Sequence, residues 1–253
     1  MTHPTTRRTV LRGTAALTAA GLATTRTTTS AHADAPAAGP RIGILLYDGY
    51  SLLDPTGPAE VLSRVPGATV TMVAERRGPV RTDTGDVAVV AERALDETGP
   101  LDVLLVPGAG NRGTTAAMAN KKLLAWIRHT NRRTRFTTSV CTGSLVLAAA
   151  GLLDGRRATT YWASAEYMEK TFDITYVPER FVESGKFITS AGVSAGLDMA
   201  LHLAARLTDD DTARAIQLAV EYDPRPPFDA GDAQKASPEL KARALKILEE
   251  SQV

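Results

Sequence analysis

The chain has 253 residues, a formal net charge of +1 and a single cysteine. One cysteine excludes an internal disulfide, and the near-neutral charge gives no reason to expect nucleic acid or an acidic membrane surface as a partner. Hydrophobic residues make up 43% and charged residues 23% of the chain, a composition typical of a globular protein.

The amino-terminal residues indicate an export signal. Arg7 and Arg8 precede a mildly apolar, alanine-rich run, and a small-x-small cleavage site ends at Ala33. This pattern is typical of a twin-arginine signal, and the run of about ten residues is too short to span a bilayer. We therefore expect a signal over residues 1–33, a linker over 34–40, and a mature protein that is extracellular, periplasmic or in the cell envelope. The alternative is a disordered Thr/Ala/Arg tail.

Strands and helices alternate along residues 41–253, which predicts a single α/β domain. Apolar and β-branched runs predict a hairpin-like excursion over 79–91 and strands at 41–47, 70–74, 101–106, 136–140, 158–160, 174–177, 181–183 and 187–190. Amphipathic or alanine-rich segments predict helices within 51–64, after Cys141 as far as Gly151, and at 121–132, 163–170, 197–207, 209–221 and 238–250. We expect a flavodoxin-like three-layer sandwich with a mostly parallel central sheet, whose site lies beyond the carboxyl ends of the strands.

Cys141 lies where a strand is predicted to end and a helix to begin. A side chain at such a nucleophile elbow projects beside the unpaired N–H groups of the helix start. Those groups favour negative charge, so we expect the pKa of the thiol to fall below its free value of about 8.5. The N–H of Thr142 is then placed to stabilise an oxyanion or an imine nitrogen. The alternative is that Cys141 is a small buried hydrophobic residue.

Two further loops are predicted to converge on the cysteine. The loop at 108–113 lacks the dinucleotide fingerprint and the Gly-Lys-Ser/Thr ending of a phosphate loop. We interpret it as the backbone wall of a small pocket, because glycine lets a backbone amide approach a reactant closely. The second loop is the small-residue turn at 191–196.

Asp54 is the best candidate for an acid or a base, because it is a carboxylate in an otherwise apolar, Pro/Gly-rich segment. The alternative is that it caps the following helix, and Asp198 is interpreted first as such a cap. His129 lies among arginines and is interpreted as solvated, and His202 as a core or capped residue. Neither histidine has a His or Cys at ligand spacing, so no metal site or Ser-His-Asp triad is expected.

Several segments resemble a known family. They resemble the PfpI/ThiJ-type superfamily, which has the class I glutamine-amidotransferase-like fold, and within it the isonitrile hydratases. The matching segments are residues 53–58, 106–108, 138–147, 151–153, 157–160, 195–198 and 217–231.

The resemblance implies hydration of a small isonitrile to an N-substituted formamide. Cys141 would attack the terminal carbon to give a thioimidate. Asp54 would transfer the proton and activate water, and Thr142 would assist through its N–H or hydroxyl. The residues implied to line the substrate site are Gly108, Ala109, Gly110, Tyr161 and Val193. No metal or organic cofactor, no nucleic acid and no stable membrane insertion are implied, and a homodimer is expected.

The sequence departs from the family pattern at three points. Tyr161 stands where the family has a histidine, and a phenol with a free pKa of about 10 cannot replace that ring as a base near neutral pH. The loop after Gly108 is poorer in glycine, and an export signal is unusual for such an enzyme. Two alternatives stay open: another cysteine-nucleophile enzyme (an amidase, peptidase or glyoxal hydratase), or a non-catalytic redox-sensing or ligand-binding thiol.

Overall fold

A computed structural model of the protein describes residues 39–253. The predicted export signal over residues 1–33, and the linker up to residue 38, lie outside the described residues. No helix in the described range is long and apolar enough to cross a membrane.

The central sheet has seven strands, and neighbouring strands are parallel except at one edge. Their spatial order is β10 (Phe181–Ser184), β11 (Phe187–Ser190), β7 (Phe136–Ser139), β6 (Val103–Val106), β1 (Arg41–Leu45), β2 (Thr69–Ala74) and β5 (Arg93–Ala94). Only β10 runs antiparallel to its neighbour. The β6, β7 and β11 strands are buried along their whole length, as expected where helices cover both faces of a parallel sheet.

Two small sheets lie outside the central one. The predicted excursion is the antiparallel pair β3 (Gly78–Arg81) and β4 (Ala88–Ala91), and β8 (Arg156–Ala158) pairs in parallel with β9 (Ile174–Tyr176). Short 3₁₀ turns occur at Leu95–Glu97 and Trp162–Ser164. The helices are α1 (Leu53–Leu62), α2 (Asn111–Ala119), α3 (Lys121–Asn131), α4 (Gly143–Ala149), α5 (Ala165–Thr171), α6 (Ala195–Leu207), α7 (Asp210–Ala219) and α8 (Pro238–Ser251).

Two hydrophobic cores lie on opposite faces of the central sheet. In β6, Leu104 and Val106 join the core that includes residues of α2, α3 and α4, whereas Val103 and Leu105 join the core that includes residues of α1, α6 and α7. This alternation follows from the two-residue period of a strand. The predicted three-layer α/β sandwich with a mostly parallel sheet is therefore confirmed.

Helix α2 is the main element that the sequence did not predict. Its first turns contain Gly113 and Thr114, residues of low helix propensity. The glycine is required by packing, since a Cβ there would lie 2.9 Å from the Cβ of Ala109 and 2.9 Å from the carbonyl oxygen of Asp48. The helix is stabilised by tertiary contacts of its buried residues rather than by local preference.

Candidate active site

Cys141 occupies the turn between β7 and α4, in the backbone geometry of a nucleophile elbow. Its φ of +55° is in the left-handed region, which costs a residue with a side chain about 1–3 kcal/mol. Hydrogen bonds hold this conformation. The N–H of Cys141 donates to the carbonyls of Ser190 (3.1 Å) and Ala191 (2.8 Å), and its carbonyl accepts from the hydroxyls of Ser144 (3.1 Å) and Thr160 (3.2 Å).

Asp54 lies in the first turn of α1 and its side chain is fully buried. Its Oδ2 accepts a hydrogen bond from the N–H of Gly108 at 2.8 Å. Its Oδ1 has no hydrogen-bond partner in the part of the chain that the structure describes. The helix cap is Leu52, which makes no side-chain cap bond, so the alternative that Asp54 is an N-cap is wrong.

Gly108 lies between the thiol and the carboxyl group. A Cβ placed on it would be 2.7 Å from the Cβ of Cys141, 2.7 Å from the backbone nitrogen of Thr142 and 2.8 Å from Oδ2 of Asp54. The structure therefore brings the three predicted catalytic residues around one point, which only glycine leaves free.

The pKa of Asp54 is raised from its ordinary value of 3.8 to about 7, mainly because the carboxyl group is buried. The hydrogen bond from Gly108 lowers the pKa, and the nearby Asp83 carboxylate raises it further. A carboxyl group with a pKa near the working pH can both donate and accept a proton. This property, more than its position, makes Asp54 suitable as an acid and base.

The pKa of the Cys141 thiol is raised, so the expected lowering is wrong. The main cause is burial, since the residue is only 5% exposed, and the second is the Asp54 carboxylate. The N–H groups of Thr142 and Val193 and the hydroxyl of Thr142 favour the thiolate but do not outweigh these effects. The argument from the helix start neglected burial and the neighbouring carboxylate.

The other predicted pocket residues have different surroundings. Val193 presents its N–H to the sulfur. Tyr161 is half-buried, and burial and Cys141 raise the pKa of its phenol, which agrees with the expectation that it is no base. Ala109 is hydrogen-bonded to the Thr142 hydroxyl. A Cβ on Gly110 would lie 2.6 Å from Oε1 of Gln252, so Gly110 contacts the end of the chain.

Tyr47 is a neighbour of the site that the sequence reasoning missed. Its hydroxyl donates to the carbonyl of Pro107 at 2.7 Å. Burial raises its pKa, and the charges of Asp54 and Cys141 add to the rise. The available signal was its position, since it is the first polar residue after the apolar run of β1, at the edge of the sheet where the other candidates lie.

Asp198 and His202 have partners of their own. The Asp198 carboxylate pairs with Arg180 and accepts from the hydroxyl of Tyr222 at 2.8 Å, so its interpretation as a cap is wrong. His202 is partly exposed, and its Nε2 lies 2.7 Å from the Glu183 carboxylate.

His129 is exposed on α3, as expected. Within residues 39–253, no group of three or more His, Cys, Asp or Glu side chains is arranged to hold a metal ion.

We predict that Asp54→Asn stabilises the fold in a pH-dependent way. Between pH 3.8 and about 7 the carboxyl ionises in the unfolded chain but stays protonated in the folded one, so the free energy of unfolding falls as pH rises. Above pH 7 the buried, ionised carboxyl group lowers the free energy of unfolding by its full contribution, about 4 kcal/mol. Urea denaturation should show the variant more stable than wild type by a few kcal/mol at about pH 8, and nearly equal at about pH 4. Equal differences at both pH values would contradict the raised pKa.

Comparison with known proteins gives a family match and a number of similar chains. The DJ-1/PfpI family model matches residues 40–206. Isonitrile hydratase from Pseudomonas putida is 40% identical over 206 residues, which cover 81% of this chain and 89% of that protein. The crystal structure of a THiJ/PfpI family protein from Pseudomonas syringae superposes with a TM-score of 0.78 at 36% identity, covering 84% of this chain and 87% of that one. A DJ-1 superfamily protein from Salmonella typhimurium gives a TM-score of 0.65 at 25% identity, covering 72% and 98%.

Proposed function

The chain belongs to the DJ-1/PfpI family, and from that premise we propose that it is an enzyme that hydrates isonitriles to N-substituted formamides with Cys141 as nucleophile. The observation that carries the proposal is that a buried cysteine and a buried carboxyl group with a pKa of about 7 both lie against Gly108. The identity of 40% to a relative named isonitrile hydratase directs the choice of substrate.

The first step forms a carbon–sulfur bond. The buried thiol is neutral in the free enzyme because its pKa is raised. Transfer of its proton to Asp54 gives the thiolate, the reactive form of cysteine. The sulfur then attacks the terminal carbon of the isonitrile, and the protonated Asp54 delivers the proton to that carbon. The product is a thioimidate, R–N=CH–S–Cys141, with Asp54 again ionised.

The second step adds water and releases the product. Asp54 accepts a proton from water as the hydroxide adds to the thioimidate carbon, and returns that proton to the nitrogen. The resulting R–NH–CH(OH)–S–Cys141 collapses to the formamide R–NH–CHO and the thiolate, while Asp54 accepts the hydroxyl proton. One water molecule is consumed, and the proton shared by Cys141 and Asp54 is restored.

Backbone donors support both steps. The N–H groups of Thr142 and Val193 face the sulfur, where they stabilise negative charge on it when it attacks and when it leaves. Tyr47 and Tyr161 lie beside the thiol and provide the aromatic part of a small site. These surroundings suit a compact, largely apolar isonitrile.

The non-catalytic redox alternative has less support. Sulfenic acid formation is fastest at exposed cysteines of low pKa, whereas Cys141 is buried and its pKa is raised. The export signal, the location outside the cytoplasm and the homodimer stay predictions.

The test is turnover of a panel of alkyl and aryl isonitriles by the full chain, followed by the formyl proton of the product in NMR spectra. We expect formamide from the wild type and none above background from Cys141→Ala. Cys141→Ser places a hydroxyl at the position of the thiol but should lose about a hundredfold or more in turnover. In the described residues the two histidines, His129 and His202, are hydrogen-bonded to Arg132 and Glu183, so neither is placed to activate a serine at this site. Folded wild-type protein that converts no member of the panel would refute the substrate assignment. Full activity in Cys141→Ala would refute the role of the thiol.

A further inference from the structure

Two buried threonine hydroxyls, those of Thr114 and Thr142, are paired beside the nucleophile elbow, and the Thr114 hydroxyl has no part in the reaction above. Thr114 of α2 is 4% exposed. Its Oγ1 lies 2.9 Å from Oγ1 of Thr142 and donates to the carbonyl of Ala109 at 3.0 Å. Oγ1 of Thr142 accepts from the N–H of Ala109 at 3.0 Å and also lies 3.1 Å from the Ala109 carbonyl.

The number of hydroxyl protons decides what this cluster can do. Each hydroxyl has one proton to donate, and the buried Ala109 carbonyl needs a donor because an unpaired buried carbonyl is costly. If Thr142 were its only partner, the Thr142 proton would be committed to that carbonyl. Because Thr114 also donates to the Ala109 carbonyl, that carbonyl stays hydrogen-bonded when the Thr142 hydroxyl donates to another acceptor.

We propose that Thr114 is a positioning residue that satisfies the Ala109 carbonyl, so that the Thr142 hydroxyl can donate to the sulfur of Cys141 when the sulfur is charged. When the thiol is neutral, either hydroxyl can donate a hydrogen bond to the Ala109 carbonyl. When the thiol is ionised, Thr114 alone donates to that carbonyl, and the Thr142 hydroxyl donates to the sulfur. The inference rests on the proposed function only in that Cys141 is the reacting thiol.

Other groups around the sulfur also influence its ionisation. The Asp54 carboxyl faces it from α1, the Tyr47 phenol from the end of β1 and the Tyr161 phenol from the loop after β8. None of them bonds to Thr114 in the described structure. Variants at Thr114 therefore change one donor and leave these charges in place.

The experiment is the pH dependence of alkylation by iodoacetamide, which reports on Cys141 alone because the chain has one cysteine. Thr114→Val should raise the midpoint of the titration by about one unit, which is about a tenfold slower reaction at a fixed pH below the midpoint. Thr114→Ser keeps the hydroxyl and should titrate as wild type. Thr115→Val is the matched control, because Thr115 is the exposed neighbour on the same helix.

A double-mutant cycle separates this role from general packing. In a Thr142→Val background, Thr114→Val should cause no further shift of the alkylation midpoint. The Thr142 hydroxyl, which Thr114 frees to donate to the sulfur, is already absent in that background. Thr114→Ala removes the same hydroxyl and leaves a smaller side chain. It is used instead of Thr114→Val if near-UV circular dichroism shows that the valine variant is unfolded. Wild-type titration in folded Thr114→Val or Thr114→Ala would overturn the inference, as would an equal shift in the Thr142→Val background. No isonitrile is used, so the result is independent of the substrate assignment.

Discussion

The Asp54→Asn variant is expected to lose between about a hundredfold and ten-thousandfold in kcat on an isonitrile, the range that general acid–base catalysis supplies. The amide oxygen of asparagine can still accept the hydrogen bond from Gly108, so the geometry of the site is kept. The amide can neither take the proton from the thiol nor deliver it to carbon. Steady-state kinetics at neutral pH measures the loss.

The same variant distinguishes proton transfer from a general electrostatic effect. The Asp54 carboxylate raises the pKa of the Cys141 thiol, so its removal should make the thiol more acidic and its alkylation faster near neutral pH. A more ionised nucleophile with lower turnover is the combination expected only if Asp54 moves protons. Asp48→Asn is the control, because Asp48 is exposed and lies six residues before Asp54. If Asp54→Asn kept full turnover of the isonitrile, the proposed role of Asp54 in proton transfer would be refuted.

Gly108→Ala is expected to reduce activity by at least about a hundredfold, because displacing reacting groups by even about 1 Å has effects of that size. The added methyl would lie 2.7 Å from the Cβ of Cys141 and 2.8 Å from Oδ2 of Asp54, so the thiol and the carboxyl must separate. Overpacking of this kind also lowers the free energy of unfolding by about 1–3 kcal/mol. Urea denaturation and isonitrile turnover measure the two effects.

Gly99→Ala is the matched control for the glycine substitution. A Cβ on Gly99 would have no atom within 4 Å, so this variant should keep both stability and activity. A folded Gly108→Ala protein with wild-type turnover would show that the close approach of the three groups is not needed for the reaction.

The nucleophile elbow was predictable because its signals are local. The β-branched run before Cys141 and the alanine-rich run after it changed periodicity at the cysteine, and Gly151, with a φ of +69°, follows the end of α4 as expected. Helix α2 was not predictable in this way, because its glycine and threonines oppose helix formation locally and only tertiary contacts stabilise it.

The pairing of Asp54 with Gly108 could not be derived from local pattern. The two residues are 54 positions apart, and they meet because β1 and β6 are neighbours in the sheet although four strands intervene in the chain. The direction of the thiol pKa depends on this long-range contact and on burial, so reasoning from the helix start alone gave the wrong sign. The identities of Cys141 and Asp54 as candidates came from the sequence, whereas their electrostatic coupling needed the coordinates.

The unpaired, fully buried carboxyl oxygen of Asp54 has a consequence for laboratory evolution of this protein. A library selected only for heat resistance at alkaline pH will enrich neutral replacements at position 54, since these remove a charge that the folded interior holds at a cost. If Asp54 transfers protons as proposed, the clones with such a replacement will be inactive, so turnover has to be screened in parallel. Clones that gain heat resistance and keep their aspartate should carry their changes elsewhere in the molecule.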